Sequence, residues 1–412
     1  MVEYNKYIIK EVKKTFVNVY LIMVKKLRIL FPYVEAGLGH IVPMKAFVSE
    51  FKKEYSDEFE IIESDFYRED NDQDLIKYET WFCDNVKLFA ISPFLGNIVT
   101  FFDHIIPINI ASHFVMRVFH RKAYKKSLKK MENFHADIIF STHWATNYYA
   151  QKIKNRPYTI LYCPDCELVN VFSYSSDLTL ISTEVGYKKG LKMKHRFNED
   201  NLKKTKFLIR NRAFEIPYDK YENRKNLNLP IDKFTIMFME GGYGIGKMEY
   251  LCKKLVNDNR NITIIAACGR NEKLYEKFMN LKVNKNVTFI PLKLNGDILP
   301  YIASCDLFVG KGGNSIAEPT FFSRPSIIST LSTGIEKKIA RFYQDDVCSS
   351  IICTKKKKLL KLINTFIDEP SLLRPYEEGA YLDHNRYGAK DCVEIVYNQI
   401  KKVVKENGKY RN

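Results

Sequence analysis

The sequence predicts an α/β protein of two domains in tandem, each a mainly parallel sheet with helices on both faces. Three observations carry that expectation. The chain has 412 residues, more than one ordinary α/β domain needs and comfortable for two. Short, nearly continuous apolar runs recur along it, as strands buried on both faces require. Stretches with helical spacing follow these runs, and that alternation builds a parallel sheet covered by helices.

In the first half, LRILFPY (27–33), FEIIES (59–64), DIIFSTH (137–143), YTILYC (158–163) and LTLIS (178–182) have strand character. IVPMKAFVSEFKKEY (41–55) between the first two has helical spacing. The second half is more regular: FTIMFM, ITIIAACG, NVTFI, CDLFVG and PSIIS are apolar runs that each precede a helical stretch. Between the halves, IPYDKYENRKNLNLPIDK (216–233) is polar, carries two prolines and marks the end of a linker. The expected partition is an N-terminal extension at 1–22, a first domain at 23–212, a second at 213–384 and a closing helix within 385–412. Met23 opens MVKKLRILFPY, which has the form of a natural start.

With 46% hydrophobic and 14% aromatic residues the chain can bury two cores, which excludes disorder as its default. A formal charge of +17 and a pI near 9.2 attract polyanions: nucleic acid, anionic lipid or a phosphorylated substrate. An A/T-rich genome accounts for the abundant Lys, Asn, Ile and Tyr without any such partner. Nine scattered cysteines, an odd number, suit free thiols in a reducing cytosol. Cys163 and Cys166 lack the second pair that structural zinc wants, and no helical pattern follows to activate a thiol. Residues 16–24 form an apolar run followed by Lys25, Lys26 and Arg28, without a cleavage site and far short of the roughly 20 residues that cross a bilayer. A soluble, cytoplasmic protein is the expectation.

Doubly wound sheets bind ligands at the carboxyl ends of their strands, so the loops there carry the candidate chemistry. After the first strand, EAGLGHIVPM supplies Gly37, Gly39 and His40. A dinucleotide fingerprint needs a third glycine near Val42, which weakens the nicotinamide reading. His40 at the helix start is expected to face the cleft; the alternative is a histidine that caps the turn. In the second half, Gly241, Gly242, Gly244 and Gly246 make a backbone nest fit for phosphate oxygens, or else a tight turn without a ligand. The next strand ends Ala266-Ala267-Cys268-Gly269-Arg270, without the acid a dehydrogenase uses on ribose. Nor is there a GxxxxGK[ST] segment, which disfavours a P-loop nucleotidase. Third, Gly312, Gly313, Asn314 and Ser315 form a polar helix start whose N–H groups and dipole suit a diphosphate. Glu318, about one turn inside, is placed to accept hydrogen bonds from two ribose hydroxyls; its structural alternative is a capping box.

Residues 87–114 contain only Lys87 and Asp103 as fixed charges and are broken by Pro93, Gly96 and Pro107. The following 114–130 segment carries seven Lys/Arg and no acid, with Phe114, Val118, Tyr124 and Leu128 interleaved. A basic amphipathic helix of this kind fits an anionic membrane surface, and equally a core helix with a solvated basic face. No recognised nucleic-acid module accompanies the charge, so no nucleic-acid partner is expected. The Lys355–Lys358 run fits a solvated helix start.

EGGYGIGKMEYL, AACGRNEKLYEKF and KGGNSIAEPTFFSRPSIIS, in this order and spacing, resemble the donor-binding half of one glycosyltransferase group. It contains monogalactosyldiacylglycerol synthase, the processive diacylglycerol glucosyltransferases and, more distantly, the MurG-like N-acetylglucosaminyltransferase of peptidoglycan synthesis. The likeness runs from Phe234 to Tyr343 and is looser in the first half, through AGLGH, FSTHW and YCPDC. It implies the GT-B architecture, two facing Rossmann-like domains, with the last helix (Asn385–Val404) crossing back onto the first. It further implies donor-binding roles for Gly241, Gly242, Gly244, Gly246 and Arg270, for Gly312–Ser315 at the diphosphate, and for Glu318 on the ribose. Glu336 falls in the loop that reads sugar hydroxyls, with Ile335 replacing the group's usual glutamine. His40 matches a catalytic base or orienter. Asp165 matches a Thr-Asp position although Pro164 precedes it, and Gly37, Gly39 and His143 belong to the acceptor-side loops.

The activity so implied is inverting transfer of a hexose from a UDP-sugar to a lipid acceptor such as diacylglycerol, on the inner face of the cell membrane. A base takes the acceptor proton, and donors stabilise the departing UDP. No DxD-like acid pair ends a strand, so no metal and no cofactor beyond the UDP-sugar co-substrate is expected. Two rivals are a UDP-sugar 2-epimerase of the same fold and a non-catalytic protein that binds membrane or polyanion.

Overall fold

The computed structural model describes residues 26–35, 38–91, 108–168, 176–193, 196–242, 244, 246–293 and 296–407. The expected extension at 1–22, Gly37 and the centre of the 87–130 segment lie outside these residues.

Two six-stranded sheets, parallel throughout, organise the chain. The first comprises β1 (Leu27–Tyr33), β2 (Phe59–Asp65), β3 (Ile138–Ser141), β4 (Tyr158–Cys163), β5 (Leu178–Ile181) and β6 (Leu202–Lys204) in the order β2-β1-β3-β4-β5-β6. The second comprises β7 (Phe234–Met239), β8 (Ile262–Gly269), β9 (Val287–Lys293), β10 (Leu307–Lys311), β11 (Ser326–Thr330) and β12 (Ser350–Ile352) in the order β12-β11-β10-β7-β8-β9. The α/β expectation of two Rossmann-like domains is thus met. The apolar runs became strands because both faces of each sheet are covered. One face of the first sheet packs Phe31, Phe47, Phe140 and Tyr162, the other Leu30, Ile139, Tyr148 and Leu161. One face of the second packs Met237, Phe308 and Ile316, the other Phe238, Leu251, Val309 and Ile363.

The helix Lys390–Asn407 lays Cys392, Val393, Val396 and Ile400 into the core of the first sheet. Tyr397 stacks on Tyr55 with ring centroids 3.8 Å apart. The chain segments that connect the two sheets pair with each other: the Phe207 amide donates to the Arg386 carbonyl at 2.8 Å, and the Gly388 amide to the Phe207 carbonyl at 3.1 Å.

The basic segment departs from the single helix expected over 114–130. It forms two helices, Ile108–Val118 and Arg121–Asn133, broken at Phe119–His120. Part of its charge is structural: Lys126 pairs with Asp72 and Asp74, both at 2.7 Å, and buried Lys130 with Glu69 at 2.9 Å and Asp70 at 2.6 Å. Arg117, Arg121, Lys122, Lys125 and Lys129 remain exposed beside Phe114, Val118 and Phe119, and Phe119 is 72% exposed. No helix among the described residues is long and apolar enough to cross a membrane.

Candidate active site

In each sheet the strand order reverses at one point, between β1 and β3 in the first and between β7 and β10 in the second. Adjacent loops diverge there and leave a crevice at the strands' carboxyl ends. The loop after β1 holds Gly39 and His40, the loop after β3 holds His143, the loop after β7 the glycines 241–246, and the loop after β10 Gly312–Ser315. Every glycine-rich motif therefore sits at a switch point. The two crevices meet: a Cβ placed on Gly39 would lie 3.4 Å from the Asn314 side-chain nitrogen. Arg270 at the end of β8 reaches within 3.8 Å of Glu35, and Lys338 within 3.3 Å of Glu167, across the same cleft.

His40 lies in the first turn of the helix Leu38–Tyr55, partly buried. Its Nδ1 donates to the Thr142 carbonyl at 2.9 Å, and Thr142 Oγ1 donates back to the His40 carbonyl at 2.8 Å. A carbonyl only accepts, so the neutral ring carries its proton on Nδ1 and its lone pair on Nε2. The turn-capping alternative is not what this bond does; it ties the loop after β1 to the loop after β3. Burial lowers the His40 pKa, against the opposing pull of the Thr142 carbonyl. His143 meets His40 edge to face at 5.0 Å and accepts the Ala145 amide on its own Nδ1 at 3.3 Å. Burial drives its pKa well below the usual value, and the neighbouring His40 ring adds to the shift. Both imidazoles are neutral at pH 7.

The β7 loop is shaped by a residue the sequence did not single out. Buried Glu240 accepts the Met248 amide at 2.9 Å, the Thr330 hydroxyl at 3.0 Å and the Ser329 hydroxyl. Any Cβ on Gly246 would overlap that carboxylate, so Gly246 leaves room for it rather than for a ligand. Gly244 and Gly269 adopt φ of +59° and +60°, and the Arg270 amide donates to the Gly242 carbonyl at 2.8 Å. The loop is thus folded back against the end of β8. Lys247 points behind it, donating to the Ser329 carbonyl at 2.6 Å, and burial lowers its pKa.

Glu318 is 5% exposed, and its Oε1 is buried without a hydrogen bond although Arg210 Nε lies 3.1 Å away. Burial raises its pKa, with Arg210 opposing. No side chain caps the helix that holds it, so the capping-box alternative is not realised there. A side-chain cap does form one loop later. Thr333 Oγ1 accepts the Glu336 amide at 3.2 Å, while Glu336 accepts the Ser332 amide at 2.6 Å and lies 2.6 Å from the Lys311 ammonium. Asp165, buried after β4, has its pKa pushed up to about 7 by burial, with Lys338 opposing and Glu336 reinforcing. Its electrostatic neighbours thus lie on the far wall of the cleft. Arg210 escaped sequence reading because it lies in no motif, whereas Glu240 and Lys311 open the EGGYGIG and KGGNS segments but take their partners from segments distant in sequence. All nine cysteines are free, and burial raises the Cys163 and Cys166 thiols, the latter to about 12. A surface cavity of about 570 Å³ lined by Tyr218, Tyr221, Arg324 and Tyr381 lies past the Ala317–Phe321 helix, and none of the candidate site residues lines it.

Two facing, wholly parallel Rossmann-like domains with converging switch-point loops define the GT-B fold, the architecture of nucleotide-sugar glycosyltransferases and their relatives. The solved structures agree. Over 92% of this chain and all of the other, the fold matches MurG of Acinetobacter baumannii with a TM-score of 0.55 at 12% identity. Over 91% of this chain and all of the other, it matches the UDP-GlcNAc 2-epimerase of Neisseria meningitidis with a TM-score of 0.52 at 12% identity. In sequence the chain is similar to the processive diacylglycerol β-glucosyltransferase of Bacillus licheniformis, 27% identical over 42% of this chain and 45% of that one. It is also similar to the probable monogalactosyldiacylglycerol synthase 2 of Oryza sativa subsp. japonica, 29% identical over 39% of this chain and 36% of that one. The matches span less than half the length of these curated relatives. No family model matches the chain. The resemblance to the diacylglycerol glycosyltransferase group is borne out at this low identity.

Proposed function

We propose that this chain is an inverting glycosyltransferase that moves a hexose from a UDP-sugar to a lipid acceptor such as diacylglycerol at a membrane surface. The observation that carries the reading is the approach of Gly39 to Asn314, which sets His40 on one wall of a cleft against Gly312–Ser315 and Glu318 on the other. The buried Oε1 of Glu318 makes no hydrogen bond and has the Arg210 guanidinium 3.1 Å away, which leaves acceptor capacity for a ribose hydroxyl. Across the cleft, Nε2 of neutral His40 takes the acceptor's proton as its oxygen attacks the anomeric carbon. Asp165, with a pKa of about 7, is a second candidate proton-handling group near the sugar end. Arg270 with Gly241, Gly242 and Gly244 completes the donor side, while Gly39 and His143 shape the acceptor side. The exposed patch around Phe119 supports binding at an anionic bilayer. The relatives' names favour diacylglycerol as the acceptor.

Incubating the purified protein with a panel of UDP-sugars, with and without lipid extract, tests the reading. A new glycolipid and stoichiometric UDP are expected, and EDTA should leave the rate unchanged because no step in this reading uses a metal. Conversion of UDP-GlcNAc to an isomer without lipid would establish the epimerase, whose fold neighbours are as similar as MurG. Vesicle binding with no affinity for UDP would leave only a non-catalytic protein.

A further inference from the structure

The mechanism above leaves unused a lysine at the centre of the donor loops. Lys311 ends β10, where the ladder with β11 slips: Gly310 pairs with Ile328 and Lys311 with Thr330. A bulge at a strand end re-aims the side chain beyond it. Here the re-aimed stem passes the first glycine of the β7 loop, its Cδ 3.9 Å from where a Cβ of Gly241 would stand. The ammonium ends 2.6 Å from Glu336 Oε1, both side chains being mostly buried. Glu336 is fixed in turn by the Ser332 amide and by the Thr333 hydroxyl. The cation is therefore pinned where the loops after β7, β10 and β11 converge. Glu336 is its one ion-pair partner among the described residues, which leaves two of its three N–H groups for a ligand.

The helix beyond shows why a formal charge is needed. Gly312–Ser315 lead into a single 3-10 turn, Asn314–Ile316, and a helix of only five residues, Ala317–Phe321. Peptide dipoles sum along a helix, so one this short offers little against a diphosphate.

We propose that Lys311 supplies the positive charge that stabilises the departing diphosphate, and that Glu336 holds it in place rather than reading sugar hydroxyls. This rests on the UDP-sugar reading above. In the step concerned, the bond from the anomeric carbon to the β-phosphate oxygen breaks and its electron pair stays with the diphosphate. The acceptor oxygen forms the new bond to that carbon, and its proton passes to His40. Lys311 keeps its protons and stabilises the growing phosphate charge through charge-assisted hydrogen bonds.

Calorimetric binding of UDP, UMP and uridine to the full-length wild type, Lys311→Gln and Lys311→Arg tests this. The wild type should prefer UDP to UMP by about tenfold or more. Lys311→Gln should cut that preference to about twofold while leaving uridine affinity unchanged, and Lys311→Arg should retain most of it. Glu336→Gln keeps an acceptor for the Ser332 amide but frees the ammonium, so kcat should fall about tenfold with a smaller change in donor KM. An unaltered UDP-to-UMP ratio in folded Lys311→Gln overturns the proposal. Equal binding of UDP and UMP by the wild type does so too, without relying on any variant to fold. If the wild type binds none of the three, the UDP-sugar reading falls and this role falls with it, a result distinct from loss of the ratio alone.

Discussion

The imidazole of His40 owes its proton arrangement to the main chain. The Thr142 carbonyl holds the proton on Nδ1, and burial keeps the ring from gaining a second one. A base with a depressed pKa stays competent as pH falls, so the acid limb of kcat/KM should have an apparent pKa below 6.5. A pH–rate profile with its acid limb above 7 would remove His40 from that role. His40→Ala should lower turnover by about a hundred- to ten-thousand-fold and leave UDP affinity intact by calorimetry. Glu318→Ala should do the reverse first, weakening UDP binding by about tenfold or more. Asp165 bears on stability as well. Its folded pKa of about 7 lies above the value near 4 of an unfolded aspartate. The folded state therefore binds the extra proton, and the associated stability is present below pH 4 and lost as pH rises through 7. Asp165→Asn should raise Tm at pH 8 by at least about 2–4 °C and change little at pH 4, as differential scanning would show.

At the scale of elements, the ten longer strands could be found in the sequence because burial on both faces makes them unbroken apolar runs. β6 and β12, three residues each at sheet edges, carry no such pattern and went unseen. The helical segment expected at 114–130 split because Phe119 and His120 leave the helix, with His120 turning onto Trp81 at a ring distance of 4.4 Å, a contact far off in sequence. The glycine motifs were legible as loops, but their division of labour was not. Gly246 and Gly269 serve packing of the loop on itself, since a Cβ on either would overlap Glu240 or the Gly242 carbonyl. Gly269→Ala, at a φ of +60°, should therefore destabilise the protein by more than about 1 kcal/mol in urea unfolding and weaken UDP binding with it. The closing helix is a core element of the first sheet, where Ile400 is 1% exposed. Ile400→Ala should cost about 2–5 kcal/mol in the same measurement.

Across the whole molecule, two sheets with their own cores meet along loops, and short polar contacts span the gap: Arg270 to Glu35, Lys338 to Glu167 and Arg210 to Glu318. The exposed basic and aromatic face lies on the first domain, on the helices Ile108–Val118 and Arg121–Asn133. If it seats the protein on anionic lipid, Phe119→Ser should weaken binding to phosphatidylglycerol vesicles by about tenfold, and added salt should weaken it further. Equal binding by Phe119→Ser would take the patch out of membrane contact.

The sequence by itself determined the tandem α/β architecture, because strand burial leaves its mark in every consecutive residue. It also marked the glycine loops and His40 as candidates for chemistry, since tight turns at strand ends demand glycine. Which loops face one another was decided only by the tertiary structure. Gly39 and Asn314 are 275 positions apart, and no local pattern encodes their approach. The same holds for the charges that set the site. Arg210 beside Glu318, and Lys311 on Glu336, acquire their partners from helices 108 and 25 positions away. A carboxylate's burial and a lysine's direction depend on how distant segments pack, and the sequence around each carries no record of that.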